Sequence, residues 1–313
     1  MSQVVVNRST AVRPTPALGA RLTASRKGFW LPGFVILALI VFFSVETPSF
    51  ATIRNVTALS GQTASLSIAC LGSTFVVMMG SIDLSVGAIV ILTGSIGGAL
   101  GLFNGIVYVR GRIQSFVVTL GSLSIFTGIG LNLLDGRAVE FTNEDFGDVA
   151  IGQVLPHVPN IALWAVGAWL VVVFVSQRTR FGRYMYLIGG GETVARTAGV
   201  PVDRFKVYAF GLSGLMAGLA AILLVARLGS AGPSLGSDLL LDTMAAIVVG
   251  GTSLAGGVGG PQRTLIGVLI IAILDNGLNL MGVSEYTQMI VKGAVVIVAV
   301  LVSRESSTQA VVK

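Results

Sequence analysis

Charged residues, cysteine and histidine are all scarce in this sequence. Only 11% of its 313 residues are charged and 53% are hydrophobic, whereas a soluble domain carries about 25% charged residues. So few charges cannot cover a water-soluble surface. The single Cys70 lies in an apolar run, which excludes disulfides within the chain and thiolate metal clusters, and the single His157 lies in a loop flanked by prolines.

A pattern for catalysis is missing as well. No nucleophile stands beside a base, no carboxylates are paired for acid–base chemistry, and no metal-ligand spacing occurs. The sequence therefore predicts neither an enzyme nor a metal site. The net charge of +6 does not indicate nucleic-acid binding, because the Lys and Arg residues flank apolar segments and do not form a patch with aromatic residues.

Apolar runs long enough to span a bilayer recur along most of the chain. The candidate spans are 29–45, 56–80, 86–109, 113–134, 161–176, 207–226, 243–256, 264–283 and 286–303. We expect helices, because a backbone in lipid must satisfy its own hydrogen bonds and the runs lack the alternation of barrel strands. The sequence predicts an all-α integral membrane protein, a polytopic helical bundle of about eight or nine spans with broken or re-entrant helices. A basic tail at 1–28 and a short tail at 304–313 flank the membrane domain at 29–303.

The charged loops set the expected orientation. Cytoplasmic loops carry an excess of Lys and Arg, so Arg110, Arg112 and the loop 177–206 should lie inside, and the acidic stretch 135–148 outside. A full span at 86–109, counted from a cytoplasmic N-terminus, would instead leave Arg110 outside. Three explanations are open: a re-entrant stretch at 80–109, an N-terminus outside, or a lost crossing. Basic residues on both sides favour the first or the third.

The loop 177–206 contains a candidate docking segment. Three glycines at 189–191 precede Glu192, and fair helix formers follow up to Ala198 before Gly199 and Pro201. This pattern predicts a short helix with Glu192 at its positive N-terminal end. Such a helix could dock into a cytoplasmic partner or serve as a simple connector. Because no Walker lysine accompanies the glycines, ATP-driven work would need a separate subunit.

Ionisable and glycine-rich segments within the apolar runs mark further candidates. Asp275 and Lys292 lie at matching depth on the helical hairpin predicted for 264–303 and could form an intramembrane ion pair, structural or part of a proton or cation relay. Asp83 is predicted to cap the helix that follows it. The segment 250–260, rich in glycine, should lie inside the bundle or line a cavity, or form a tight turn between packed helices.

Four motifs in order resemble the ribose-type permeases of ATP-binding-cassette (ABC) sugar importers. They are 81–87 (SIDLSVG), 182–189 (GRYMYLIG) with 192–199 (ETVARTAG), 242–257 (DTMAAIVVGGTSLAGG) and 276–279 (NGLN). The resemblance runs from about residue 34 to residue 302. It implies a permease subunit that translocates a monosaccharide or similar small polar solute across the bacterial inner membrane.

The same resemblance implies the partners and the site residues. The partners would be a cytoplasmic ATPase that holds ATP and Mg, a periplasmic sugar-binding protein, a second permease copy and the lipid bilayer; this chain itself would bind no cofactor and no nucleic acid. Residues that couple to the ATPase would be Glu192, Thr193, Ala195, Arg196 and Gly199. Residues near the translocation pathway would be Asp83, Gly250, Gly251, Thr252, Ser253, Asn276 and Asn279.

The sequence departs from the family between Gly87 and Gly105. Family members usually carry roughly one additional span there, and this chain joins the two segments directly. The departure favours a lost crossing as the reason why the number of spans before Arg110 does not agree with the charges. It also makes a transport-deficient shortened permease a competing hypothesis. Two further hypotheses are an ion-coupled secondary transporter that uses Asp83, Asp275 and Lys292, and a membrane scaffold without transport.

Overall fold

The fold is a helical bundle, as the sequence predicts. The computed structural model describes residues 18–92, 96–140, 143–232 and 235–311. Over these residues the elements are α1 (Leu18–Glu46), α2 (Ile53–Met78), α3 (Val86–Leu92), α4 (Gly97–Gly111), α5 (Ser115–Leu133), β1 (Val139–Glu140), α6 (Glu144–Ile151), α7 (Asn160–Arg178), α8 (Arg180–Gly190), α9 (Glu192–Thr197), α10 (Val202–Leu228), β2 (Ser230–Ala231), α11 (Ser237–Val249), α12 (Pro261–Leu280) and α13 (Glu285–Val311).

Five of the described helices are long and apolar enough to cross a membrane: α2, α5, α7, α10 and α12. Shorter apolar stretches lie in α1, from Pro32 to Glu46, and in α11, from Leu239 to Val249. At the centre is α2, in which every residue from Thr63 to Met78 is buried. These helices confirm the predicted membrane protein.

The two ends of the bundle differ in what they carry. At one end lie α8 and α9 with the arginine-rich loop, and this is termed the basic end. At the other, the outer end, α6 packs beside the last turns of α10, and β1 pairs antiparallel with β2. The described residues of the acidic stretch at 135–148 belong to the outer end, opposite Arg110, Arg112 and the loop 177–206, as the charge distribution predicts.

Close packing of α4 on α10 depends on glycine. Three glycines at four-residue spacing, Gly97, Gly101 and Gly105, place one face of α4 directly against the backbone of α10. A Cβ atom on Gly101 would collide with the carbonyl oxygen of Phe210 and the backbone of Gly214. Small residues therefore let these two helices approach, in the way typical of membrane bundles.

Residues 80–92 and 96–111 form the two arms of a hairpin that begins and ends at the basic end. Helix α4 runs antiparallel to α10, because Gly97 faces Gly214 and Gly105 faces Val207. Ser85, just before α3, is level with Asn104, whose Nδ2 donates to Ser85 Oγ at 2.7 Å. From there α3 rises about 10 Å over its seven residues.

This hairpin explains how Arg110 can lie on the cytoplasmic side although a full span at 86–109 would place it outside. Ser85 is level with Asn104, and Gly97 lies further along α10 towards the outer end, beside Gly214 and Gly218, so the chain rises from Ser85 and returns along α4. The prediction of one span over 86–109 is therefore wrong, because α3 and α4 are separate helices and Ile96, just before α4, is not helical. The re-entrant explanation accounts for Arg110 and Arg112 at the basic end, and no crossing has to be lost to place them there.

The span predicted for 243–256 is also wrong. Helix α11 ends at Val249, and residues 250–260 form an irregular loop in which Gly251, Gly256 and Gly257 have φ of 86°, 86° and 75°. Only glycine adopts such angles without strain, so the helix cannot continue. The loop is held against the end of α2, where Gly257 N donates to Met78 O at 2.8 Å.

Candidate coupling and translocation sites

Helix α9 forms at the basic end, with Glu192 as its first residue. The structure has it over Glu192–Thr197, close to the predicted segment, and Gly199 with φ of 79° stops it. Thr193 and Arg196 are exposed, whereas Ala195 is 2% exposed and packs among the apolar side chains that join α8, α9 and α10. Ala195 therefore anchors α9 to the bundle and does not present a contact surface.

The exposed surface of α9 includes an apolar side chain that sequence reasoning missed. Val194 is 71% exposed at the tip of the helix, between Thr193 and the exposed Thr197. It lies outside the helices that are long enough to cross a membrane, so lipid does not explain its exposure. Its signal in the sequence was weak, since one valine in a six-residue helix gives no periodicity.

An ion network fixes α9 to the start of α10. Arg196 Nη2 donates to Glu192 Oε1 at 2.9 Å, and the same guanidinium pairs with Asp203. Lys206 Nζ donates to Glu192 Oε2 at 2.7 Å. Asp203 and Lys206 were missed because their role depends on the fold, which brings the first turn of α10 beside α9.

The network also shifts the proton affinities of its exposed members. Partial burial has the largest single effect on the pKa of Glu192 and raises it. The hydrogen bonds and charges of Lys206 and Arg196 together outweigh burial, so the pKa of Glu192 is lowered. Hydrogen bonds from Arg196 to Asp203 and then to Glu192 raise the pKa of Arg196. Both side chains therefore remain charged at neutral pH.

Lys206 extends the network towards the 80–85 segment, in which Ser81, Asp83 and Ser85 are buried. Its Nζ lies 4.8 Å from the centroid of the Tyr108 ring, within range of a cation–π contact. The Tyr108 hydroxyl accepts a hydrogen bond from Ser81 Oγ at 3.3 Å. A cavity of about 500 Å³ opens beside these groups and is lined by Gly80, Tyr108, Arg112, Glu192 and Arg196, among others.

Asp83 is the centre of a fully buried polar chain. Its Oδ1 accepts from Ser85 N at 3.0 Å and from Ser85 Oγ at 2.6 Å, and its Oδ2 accepts from Ser213 Oγ at 2.9 Å. Asp83 therefore bonds the residue that precedes α3 and caps no described backbone N–H within α3, which differs from the cap that the sequence predicts. Asn104 and Ser122 continue the chain, because Asn104 donates to Ser85 and Ser122 Oγ donates to Asn104 Oδ1 at 2.6 Å.

The structure brings Asp275 and Lys292 together and adds a third member. Lys292 Nζ lies 3.3 Å from Asp275 Oδ1 and 2.8 Å from Asp242 Oδ1. All three side chains are at most 15% exposed. Asp242 begins the motif at 242–257, but no spacing in the sequence pairs it with a lysine fifty positions away.

The remaining predicted pathway residues do not converge on one site. Gly250, Gly251, Thr252 and Ser253 belong to the irregular loop, where Thr252 Oγ1 accepts from Gly260 N at 3.2 Å. At the outer half, Asn276 exchanges hydrogen bonds of 2.9 and 3.0 Å with Asn55 of α2. Asn279 is exposed near the end of α12. Asp83 lies between these two groups, in its own polar chain.

Comparison with known proteins identifies close relatives. The ribose import permease protein RbsC of Escherichia coli (strain K12) is 40% identical, over 86% of this chain and 92% of its own. The L-arabinose ABC transporter permease protein AraH of Azospirillum brasilense is 31% identical, over 96% of each chain. The D-allose transport system permease protein AlsC of Escherichia coli (strain K12) is 34% identical, over 87% of this chain and 90% of its own. No solved structure matches the chain.

The same alignments reveal a difference in length. The alignment with the ribose permease has 296 positions but takes in only 86% of the 313 residues, so about 27 of its positions have no counterpart in this chain. The arabinose and allose permeases give about 34 and about 23 such positions. In each alignment, the number of unmatched positions is near the length of one span and a turn. Its placement between Gly87 and Gly105 stays a prediction.

A family model covers most of the chain. The model is described as a branched-chain amino acid transport system permease component, and it matches residues 88–300. Its match includes α4, the coupling segment, the glycine-rich loop and the Asp242–Asp275–Lys292 cluster. With relatives above 30% identity along most of its length, the chain belongs to the ABC-importer permease family that includes the ribose import permeases.

Proposed function

We propose that this chain is the membrane-spanning subunit of an ATP-driven importer that carries a monosaccharide, or a similar small polar solute, across the bacterial inner membrane. The observation that carries the proposal is α9, a short helix with exposed Thr193 and Val194 at the end where basic loops concentrate. Positive loops face the cytoplasm, so α9 is available to a cytoplasmic ATPase. The solute class comes from the ribose, L-arabinose and D-allose permeases that resemble the chain.

The partners follow from the same proposal. ATP and Mg are held by the ATPase, and a periplasmic sugar-binding protein delivers the solute to the outer end. A second copy of the permease completes the pathway. In this arrangement Val194 and Thr193 touch the ATPase, Ala195 and Gly199 hold α9 in place, and Glu192 and Arg196 lock it to α10.

Movement of α9 has a direct mechanical route into the bundle. Glu192 bonds Lys206, Lys206 lies over Tyr108, and Tyr108 accepts from Ser81, two residues before Asp83. Because these contacts are continuous, a displacement of α9 by the ATPase pulls on the 80–85 segment. The hairpin α3–α4 would then shift relative to α10 and change access between the two ends.

The experiment is co-purification and uptake with a candidate ATPase and a candidate sugar-binding protein from the same genome. We expect the wild type to bind the ATPase and to take up at least one of ribose, L-arabinose and D-allose in an ATP-dependent way. Val194→Asp should abolish both, because it places a charge in an apolar contact. The matched control is Val154→Asp, since Val154 is 77% exposed at the outer end.

Three results would favour a different function. Uptake that an ionophore abolishes and ATP depletion leaves intact would indicate an ion-coupled transporter. ATPase binding without uptake of any solute would indicate the transport-deficient permease. No binding and no uptake would leave a scaffold and refute the importer.

A further inference from the structure

A polar cavity of about 250 Å³ lies between α2, α10, α11 and α12. Its polar lining comprises Gln62, Thr63, Ser65, Arg227, Asp242 and Asp275. Six polar or charged side chains around one cavity are unusual inside an apolar bundle, because such groups are costly in a membrane unless they serve a function or pair with one another.

The cavity lies in the outer half of the bundle. Arg227 is the penultimate residue of α10, Asp242 is five residues into α11, and Asp275 is five residues before the end of α12. At 1.5 Å per residue these positions fall within about 10 Å of the outer end of each helix. A solute that arrives from outside would meet this cavity early in its path.

The charges around the cavity balance one another. Two carboxylates, Asp242 and Asp275, are matched by Lys292, which contacts both, and by Arg227 on the opposite wall. A site of zero net charge gives no preference to a cation or an anion. It does offer carboxylate acceptors beside guanidinium and amide donors, which is the mixture that sugar hydroxyls require.

Ser65 carries a buried hydroxyl at the cavity wall that lacks a partner in the described part of the chain. Its side chain is 2% exposed, lines the cavity, and its Oγ has no hydrogen-bond partner within the described residues. Nearby hydroxyls on the same helix are satisfied, since Ser60 Oγ donates to Thr57 O at 2.7 Å and Thr63 Oγ1 donates to Leu59 O at 2.6 Å. Buried polar atoms in native proteins normally have partners, so Ser65 has unused hydrogen-bonding capacity at the cavity wall, as Thr47 and Ser176 have elsewhere in the bundle.

We propose that this cavity binds a monosaccharide and is the first binding station for the solute inside the membrane. The proposal rests on the importer function proposed above and assigns that function a specific place in the chain. Its volume is below the 300–1,000 Å³ typical of drug-sized pockets, which suits a pentose or hexose and excludes an oligosaccharide. Asp242 and Asp275 accept from sugar hydroxyls, Arg227 and Gln62 donate, and Ser65 does either.

The first test uses a single introduced cysteine. Cys70 is fully buried, so the natural chain has no reactive thiol among its described residues and Gln62→Cys introduces one at the cavity wall. The chain, assembled with its ATPase, is labelled with a neutral methanethiosulfonate in the presence of ribose, L-arabinose or D-allose. We expect the transported sugar to slow labelling of Gln62→Cys several-fold. Thr57→Cys, half-buried on α2 and outside the cavity, should react equally fast with and without sugar.

The second test measures the contribution of Ser65. Ser65→Ala should raise the sugar concentration needed for half-maximal protection by about 2- to 10-fold, the effect of one hydrogen bond. Ser60→Ala is the matched control, because Ser60 bonds its own helix backbone and is not among the residues that line the cavity. Neither replacement leaves a buried charge without its partner, so both variants should fold.

The two proposals fail in different ways. A wild-type assembly that takes up none of the three sugars contradicts the proposed function. An assembly that takes up a sugar, while that sugar leaves labelling of Gln62→Cys unchanged, refutes the cavity as a binding station and leaves the importer standing. Equal protection of Thr57→Cys would also refute it, because the effect would not be local.

Discussion

Lys292 lies between two carboxylates within the bundle, and this position makes it the most consequential single charge of the outer half. Lys292→Met would remove the cation that contacts both Asp242 and Asp275. Removal of one partner from a buried pair typically costs about 3–5 kcal/mol of folding free energy. We therefore expect a large loss of thermal stability in detergent, measured by loss of tertiary structure on heating. Lys292→Arg should retain most of the thermal stability. If Lys292→Met is as stable as the wild type, this account of the cluster is wrong.

Lys206 gives a residue-scale prediction about coupling. Lys206→Met removes the bond to Glu192 and the contact with Tyr108, but leaves Arg196 to hold α9 against Asp203. ATPase binding should persist and uptake should fall sharply, because the route into the 80–85 segment is cut. Arg204→Met is the control, since Arg204 is exposed in the same first turn of α10. If Lys206→Met and Arg204→Met take up the solute equally well, Lys206 has no role in coupling.

The charge on Glu192 gives a prediction about pH. A carboxyl whose pKa is lower in the folded chain than the ordinary value of 4.5 adds stability above that value and loses it as the pH falls through the lower, folded pKa. The stability difference between wild type and Glu192→Gln should therefore be constant between about pH 5 and 8 and shrink in more acid solution. Melting temperatures of the two proteins, recorded from pH 8 down into the acid range, measure this stability difference. A difference that falls already between pH 8 and 6 would indicate that Glu192 is not held as the carboxylate.

At the scale of helices, the contact of α4 with α10 can be tested by one methyl group. Gly101→Ala forces a Cβ into the backbone of α10, and overpacking of this kind costs about 1–3 kcal/mol. Gly128→Ala on α5 is the matched control, because nothing lies within 4 Å of its added Cβ. We expect only the first variant to melt at a lower temperature. Equal melting would mean that α4 can move away from α10 freely.

The sequence predicted helices well where polarity alone decides the outcome, as in α5, α7 and α12. It failed at 86–109 and 243–256 because both stretches lack charged residues and remain apolar on average, so hydropathy cannot detect a break in the backbone. In the second stretch the break is conformational, caused by positive φ at Gly251. Helix α9 could be predicted because glycine and an acid mark its ends locally, whereas the partners of Lys206 and Lys292 come from distant helices and depend on the assembled fold.

At the scale of the whole molecule, the hairpin explains how this chain can be shorter than its relatives and still keep its basic loops at one end of the bundle. Both α3 and α4 are shorter than the roughly 20 residues that a full span needs. If the segment absent from this chain was taken from the top of the hairpin, both arms became shorter and their ends stayed where they were. Arg112 then lies beside Glu192, Arg196 and Asp203, around the same cavity at the basic end. The shortening would leave the coupling site intact and change only the outer half.

This topology can be tested with cysteines on both sides of α5. Gln114→Cys, just after the hairpin, and Thr193→Cys on α9 should react with a membrane-impermeant maleimide only in inside-out vesicles. Asp145→Cys on α6 should react only in intact cells stripped of the outer membrane. The unaltered chain is the control, because its only cysteine is fully buried. If Gln114→Cys labels with Asp145→Cys, residues 86–109 cross the membrane once and the re-entrant hairpin is wrong; if it labels with Thr193→Cys, the shortened chain has kept the orientation that docking on an ATPase requires.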